Sequence, residues 1–329
     1  MSPVRAILFL SGLLLCAAMA SLAVGAVRVP VPVILNTLFD LDGPQQTFII
    51  TRSRLPRTWL AVVTGASLGV SGAIIQALLR NPLASPKIIG INSGAALAVL
   101  IAVLALPDLP PGWVPLSAVV GGIAAAALLY VLSELRQVSP ARLAVIGIAV
   151  GFTADAGVDF ILVTADSYAV SAPLVWLTGS LWSRGWSHVG TVAPILAPLL
   201  LVGLALSYRL DIIRLGSAQA TALGMNVRLE RLVLLAVAAL LASVSVSVVG
   251  VLGFVGLMAP HIARMLVGGQ HRGLLPVAAL VGALLVVTAD AAGRAVAPPV
   301  EISAGILTAL FGAPFFVYLM LTRQIEARS

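Results

Sequence analysis

In the stretch Gly253-Phe-Val-Gly-Leu-Met-Ala-Pro260-His261-Ile-Ala-Arg264, a proline, an imidazole and a guanidinium interrupt an otherwise hydrocarbon run. Proline removes a helix hydrogen bond, and an arginine in lipid costs several kcal/mol. Such a segment persists only where neighbouring helices or water satisfy the freed carbonyl and the charge. It reads as a helix break inside a membrane bundle, and it points to transport rather than catalysis. No Ser-His-Asp order or His-Glu-x-x-His motif is present, and His188, His261 and His271 fall on separate segments. Neither a nucleophilic triad nor a metal set is therefore expected.

Asp155 and Asp159 stand one helical turn apart and share a face. Two carboxylates cannot both face lipid ionised, so they line a watery cavity, pair with arginines of another helix, or relay a cation. Asp290 and Arg294, also one turn apart, read as a local ion pair. Gly65, Gly69 and Gly72, with Ser67 and Ser71, suit close helix contact. Ser243 and Ser247 suit the same contact or the polar wall of a pathway. Lys87, the one lysine, lacks the glycine-rich context of a phosphate loop. Energy for transport must come from an ion gradient or from a separate subunit.

The elements that position these residues follow from composition. The chain has 329 residues, 60% hydrophobic and 9% charged, with mean hydropathy +1.11. A soluble domain carries about 25% charge, so this is an integral membrane protein, all-α and polytopic. Apolar runs place about ten spans, at roughly 6–27, 58–79, 89–106, 114–133, 143–165, 189–207, 232–252, 254–268, 274–293 and 303–322. They form one transmembrane domain over the whole chain, 1–329. The first run is too long for a secretory signal and is read as an uncleaved span. The eighth, about 15 residues at ~1.5 Å each, falls short of the ~30 Å core and must be surrounded by protein.

With both termini inside, thirteen of the 19 basic residues fall on the inner face. The other six are Arg28, Arg52, Arg54, Arg57, Arg184 and Arg294. The crowding of Arg52, Arg54 and Arg57 in one outer turn fits interfacial snorkelling or a docking patch for an acidic surface. The net charge of +7 is scattered between apolar runs and serves topology rather than nucleic-acid binding. Cys16, the only cysteine, excludes a disulfide framework within one chain. The inner segment 209–231 is too long for a plain loop, and Gly216 and Gly224 bracket a short helix at Ser217–Leu223. A constant offset of 178 relates Gly65, Gly69, Gly72, Pro82 and Gly90 to Ser243, Ser247, Gly250, Pro260 and Gly268. The two halves would be inverted repeats.

Four blocks carry a family resemblance: Arg54-Leu-Pro-Arg57 with Gly65-Ala-Ser-Leu-Gly-Val-Ser-Gly72; Asn81-Pro-Leu-Ala-Ser-Pro86 with Gly90-Ile-Asn-Ser-Gly94; Gly253 to His261 with Gly269-Gln-His-Arg272; and Gly305 to Pro314. Over nearly its full length the chain resembles permease subunits of bacterial ABC importers for iron chelates (siderophores, ferric citrate), haem and vitamin B12. Trp176-Leu-Thr-Gly-Ser-Leu-Trp182 looks most like the ferric-dicitrate permeases. The resemblance implies a vitamin B12-importer-like permease fold in the cytoplasmic membrane. It implies a second permease (homo- or heterodimer), two cytoplasmic ATP-binding subunits that carry ATP and Mg, and an external substrate-binding protein. This chain itself would be no enzyme and hold no cofactor or metal. Arg54, Arg57 and Arg294 would meet acidic residues of the binding protein. The segment Leu215-Gly216-Ser217-Ala218-Gln219-Ala220-Thr221-Ala222-Leu223-Gly224-Met225-Asn226-Val227 would couple to the ATPase. Ser217 and Thr221 replace the charged residues common there, so that contact would be less ionic. Ser139, Pro140 and Ala141 correspond to an inner gate, with Pro140 and Ala141 where some members carry hydroxyls. Pro260, His261 and Arg264 read as scaffold and hinge near the inner face. A secondary transporter driven through Asp155 and Asp159 is the alternative.

Overall fold

The computed structural model describes residues 1–39, 48–106, 113–135, 140–165, 167–296 and 298–326. Among them the regular structure is helical throughout. In chain order the helices are α1 (Pro3–Ala23), α2 (Val31–Leu38), α3 (Leu55–Leu79, entered through a turn of π-helix at Ile49–Arg54), α4 (Ile91–Ala105), α5 (Trp113–Leu135), α6 (Pro140–Thr164) and α7 (Ser167–Leu177). They continue as α8 (Trp186–Ala205), α9 (Ser207–Arg214), α10 (Ser217–Ala222), α11 (Val227–Val249), α12 (Val255–Val267), α13 (His271–Val296) and α14 (Ala304–Glu326). Seven are long and apolar enough to cross a bilayer, and the apolar stretches of α4, α12 and α14 are shorter. A helix covers most of each stretch expected as a span. The short helices α2, α7 and α9 were not anticipated, because a run-length criterion passes over anything below span length.

Local chemistry sets the helix ends. The Ser2 hydroxyl accepts the Arg5 N–H, with Pro3 in the first turn of α1. Gly216 and Gly224, at φ 117° and 82°, bracket α10 as the sequence suggested. The Asn226 side chain caps α11 by accepting the Leu229 N–H at 3.2 Å.

Helices α3, α11 and α13 form the centre. In the apolar windows of α3 and α11, 72% of residues are buried, against 17% in α8 at the periphery. Helix α3 meets α13 backbone to backbone: a Cβ on Gly65 would strike the Gly282 carbonyl, and one on Gly69 the Ala278 carbonyl. Glycine leaves the room that lets two helices approach this closely. The Ser71 hydroxyl donates to the Ala238 carbonyl of α11 at 2.6 Å.

The helix break lies earlier than expected. Helix α11 stops at Val249, the chain turns through Gly250–Phe254, and α12 restarts at Val255 with Pro260 inside it. Positive φ at Gly250 (73°) and Phe254 (63°) makes the turn. Pro260 leaves the Gly256 carbonyl, four residues back, without its helix donor. Gly72 of α3 packs against that carbonyl so tightly that no Cβ fits. One residue on, Gln76 donates to the Leu257 carbonyl at 3.3 Å, and Arg264 donates to the Gln76 side-chain oxygen at 3.2 Å. A neighbouring helix thus accommodates the proline, and the helix does not open there. Pro82, its partner in the supposed repeat, sits in a non-helical turn, so the two prolines do not share local structure.

The bundle has two distinguishable ends. At the near end the Met1 ammonium donates to the Leu266 carbonyl at the close of α12, 2.9 Å away. At the far end lie the close of α1, the entry to α3 and the close of α13.

Candidate functional site

The far end gathers Arg54, Arg57 and Arg294, residues up to 240 positions apart in sequence, as the docking expectation required. It does not leave them on the surface: all three are buried, 4–8% exposed. The physical reason is the C-terminus of α1, whose last carbonyls have no helical donors and carry the negative end of the helix dipole. Arg54 donates to the Leu22 carbonyl at 2.7 Å and to the Val27 carbonyl. Gly25 leaves space for it, since a Cβ there would come within 2.7 Å of the guanidinium. Arg294 donates to the Val24 carbonyl at 2.8 Å and to the Ser21 hydroxyl at 2.7 Å. Ordering these carbonyls ends α1 at Ala23, short of the expected 27. Arg28 and Arg52 are the exposed arginines of this end.

Asp290 joins the arginines. It is 1% exposed and takes Arg57 at 2.7 Å and Arg294 at 3.1 Å. Its expected pairing with Arg294 is present, and Arg57 makes it three-membered. Arg57 reaches a second carboxylate, Glu301, at 2.7 Å; the Glu301 side chain is 31% exposed. Glu301 escaped the reading of the sequence. The available signal was scarcity: in a chain with 12 acidic residues, each carboxylate beside an apolar run needs a partner.

Between the ends, Asp155 lines a cavity of about 460 Å³ with Ser85, Lys87, Phe152, Phe254 and Phe316. Of the alternatives weighed for the two aspartates, the cavity is the one observed for Asp155, with Lys87 on the same wall; Asp159 is exposed. Ser243 and Ser247 are buried at 0% and 4% exposed. Ser247 donates back to its own helix at Val244, and Ser243 fills the space beside Gly122. Both side chains lie between packed helices rather than on an exposed surface. His261 is also a packing residue, edge-on to Phe315 of α14 with ring centroids 5.8 Å apart.

At the near end, Leu215–Val227 emerges as a bracketed short helix. Ala220 is buried, and Leu215 and Leu223 are 59% and 65% exposed on either side. Arg209 of α9 meets Glu230 of α11 at 2.5 Å. That hydrogen bond, with a second to the Tyr208 hydroxyl, raises the Arg209 guanidinium above the ordinary arginine value. Arg214 donates to the Gly269 carbonyl at 2.7 Å. The segment is therefore pinned at its base with two apolar side chains free. Of the gate expectation, Ser139 lies outside the described residues; Pro140 and Ala141 open α6, and their side chains lie outside the described set.

Long apolar helices around a charge-matched far end and an exposed near-end helix define a helical membrane permease. The chain belongs to the FecCD transport family, whose pattern matches residues 13–322. It is a permease and not itself the ATPase of such a transporter. It is 42% identical to the Fe(3+)-citrate import system permease protein YfmE of Bacillus subtilis over 99% of this chain and 96% of that one. It is 40% identical to the Fe(3+) dicitrate transport system permease protein FecD of Escherichia coli, covering 96% and 98%. It is 39% identical to the hemin transport system permease protein HmuU of Yersinia pestis, covering 98% and 96%. Among solved structures, an inward-facing metal-chelate type ABC transporter superposes with TM-score 0.85 at 30% identity, over 97% of this chain and 99% of that one. Family membership favours the ABC permease over the secondary transporter.

Proposed function

We propose that this chain is one of two permeases in a binding-protein-dependent ABC importer that carries an iron chelate into the cytoplasm. The relatives named for Fe(3+)-citrate, hemin and siderophores support that substrate class. The ten helical stretches would all cross or enter the bilayer as inverted halves, with both termini and α10 cytoplasmic. ATP and Mg would bind only on partner subunits. The single observation that carries the reading is the separation of the two interaction ends on one set of helices. Helix α3 runs from the arginine cluster at Arg54 and Arg57 to Arg80, which donates to the Ile213 carbonyl at the base of the coupling segment, 3.3 Å away.

Docking of the binding protein would take place at the far end. Arg28 and Arg52 would draw its acidic surface, and a carboxylate would exchange with Glu301 at Arg57. Arg54 and Arg294 would hold that frame from beneath. At the near end, Leu215 and Leu223 would enter an apolar groove of the ATPase, consistent with the uncharged Ser217 and Thr221. The cavity lined by Lys87 and Asp155 would form part of the route between the two permeases. Uptake of labelled ferric citrate, ferric hydroxamates and haem into proteoliposomes holding the purified assembly tests the function. Uptake should require ATP and the binding protein and stop with vanadate. Transport that persists without ATP would overturn it.

A further inference from the structure

We infer that Lys87 is a substrate contact inside the bundle, receiving a carboxylate of an anionic iron chelate, a role that rests on the permease reading above. The cavity of about 460 Å³ lies between α6, α14 and two segments of irregular backbone. One is the turn that follows α3, which brings in Ser85, Lys87 and Ile88. The other is the break between α11 and α12, which brings in Phe254 at φ 63°. Neither turn lies at the rim of the bundle. Pro86 packs on Gly256, and Gly256 meets Gly72, about two turns inside the near end of α3. At that depth in a membrane bundle, irregular backbone persists only where protein encloses it or where it lines a watery space. On α6, Gly151 packs against Gly90, and Asp155 follows one turn later.

Lys87 and Asp155 are the charged groups among the described residues that line the cavity. Among the described residues neither makes an ion pair or a side-chain hydrogen bond. The far-end arginines, by contrast, are held by carbonyls and carboxylates. An ammonium kept inside an apolar bundle without such a partner marks a substrate or ion pathway. The rest of the wall is mostly apolar, with Phe152, Phe254, Leu257 and Phe316. A few polar groups on an apolar wall, enclosing about 300–1,000 Å³, are the makeup of a small-molecule site. Lys87 offers a carboxylate one strong charge-assisted contact, and the phenyl rings cover the carbon of the ligand. Asp155 repels the same carboxylates, so the anion is held weakly enough to move on. A neutral chelate would gain nothing from Lys87.

The test is uptake into proteoliposomes holding the complete assembly, with ferric citrate set against a ferric hydroxamate that bears no carboxylate. Wild type is compared with Lys87→Gln, Lys87→Arg and Asp155→Asn, and the affinity for the binding protein is measured alongside. Lys87→Gln should lower ferric citrate uptake about tenfold or more, leaving binding-protein affinity and any hydroxamate uptake unchanged. Lys87→Arg keeps the cation and should restore most of the loss. Asp155→Asn removes the opposing charge and should leave ferric citrate uptake level or raise it. Should Lys87→Gln fail to fold, Lys87→Met, which keeps an unbranched stem, takes its place. Ferric citrate uptake at the wild-type rate in the uncharged variant, an equal loss for both chelates, or no rescue by Lys87→Arg overturns the contact. So does a wild type that carries only the carboxylate-free chelate; in that case the permease reading stands. Uptake that needs no ATP, or no uptake of either chelate by wild type, removes the permease reading and this contact with it.

Discussion

Asp290 carries the far end, because two arginines reach it from different helices while it is shut away from water. Removing one partner of a buried charge network leaves the others uncompensated and costs about 3–5 kcal/mol. Asp290→Asn should therefore lower stability by roughly 3 kcal/mol, the low end of that range, since Arg57 keeps Glu301 and Arg294 keeps Ser21 and Val24. Denaturation of the detergent-solubilised protein reads this directly. Glu301 is different: its side chain is 31% exposed, and a partly exposed pair contributes on the order of 0–1 kcal/mol. Glu301→Gln should leave the fold standing and tighten docking of the binding protein, because Arg57 no longer has to exchange a carboxylate. An unchanged docking affinity in that variant would remove Glu301 from the docking scheme. Reversing Arg54 or Arg57 is the poorer experiment, since both hold the fold together.

Among the elements, α3 is the axis: its glycines set the distance to α13 and house the carbonyl that Pro260 frees in α12. Gly72→Ala places a methyl into the Gly256 carbonyl, and overpacking of this kind costs about 1–3 kcal/mol or more. Gly190→Ala in α8 meets nothing within 4 Å and should be neutral, which makes it the control in the same unfolding assay. Helix α10 tests the other end. Leu223→Asp changes an exposed side chain, so stability should hold while co-purification of the ATPase falls. Loss of the fold with the ATPase still bound would contradict the assignment.

At the scale of the whole molecule, two charged ends joined by an apolar bundle make opposite predictions for pump and carrier. A pump powered by partner subunits loses uptake with vanadate and keeps its initial rate with a protonophore. It also tolerates Asp155→Asn with Asp159→Asn far better than a carrier driven through those carboxylates. Docking at the far end should weaken as salt rises, because exposed Arg28 and Arg52 act through a screened field. A salt-independent docking affinity would show that apolar contact, not charge, brings the binding protein in.

Helix content, the apolar stretches and the bracketed helix α10 were legible in the residues alone, because hydropathy, run length and glycine placement act over one or two turns. So were Gly65, Gly69 and Gly72 as contact residues, and the local Asp290–Arg294 pair. The direction in which the arginines point was not legible. Arg57 meets Asp290 across 233 residues and Glu301 across 244, and no local pattern encodes such a distance. The place of the helix break was missed for a related reason: a proline inside a helix is tolerated where another helix attends to the freed carbonyl, and Gly72 lies 184 residues before Gly256 in the chain. The sequence by itself determined a membrane bundle of this family with charged ends. Only the tertiary structure decided which charges are neutralised inside the fold and which are left for a partner, because in low dielectric that balance depends on what each guanidinium actually touches.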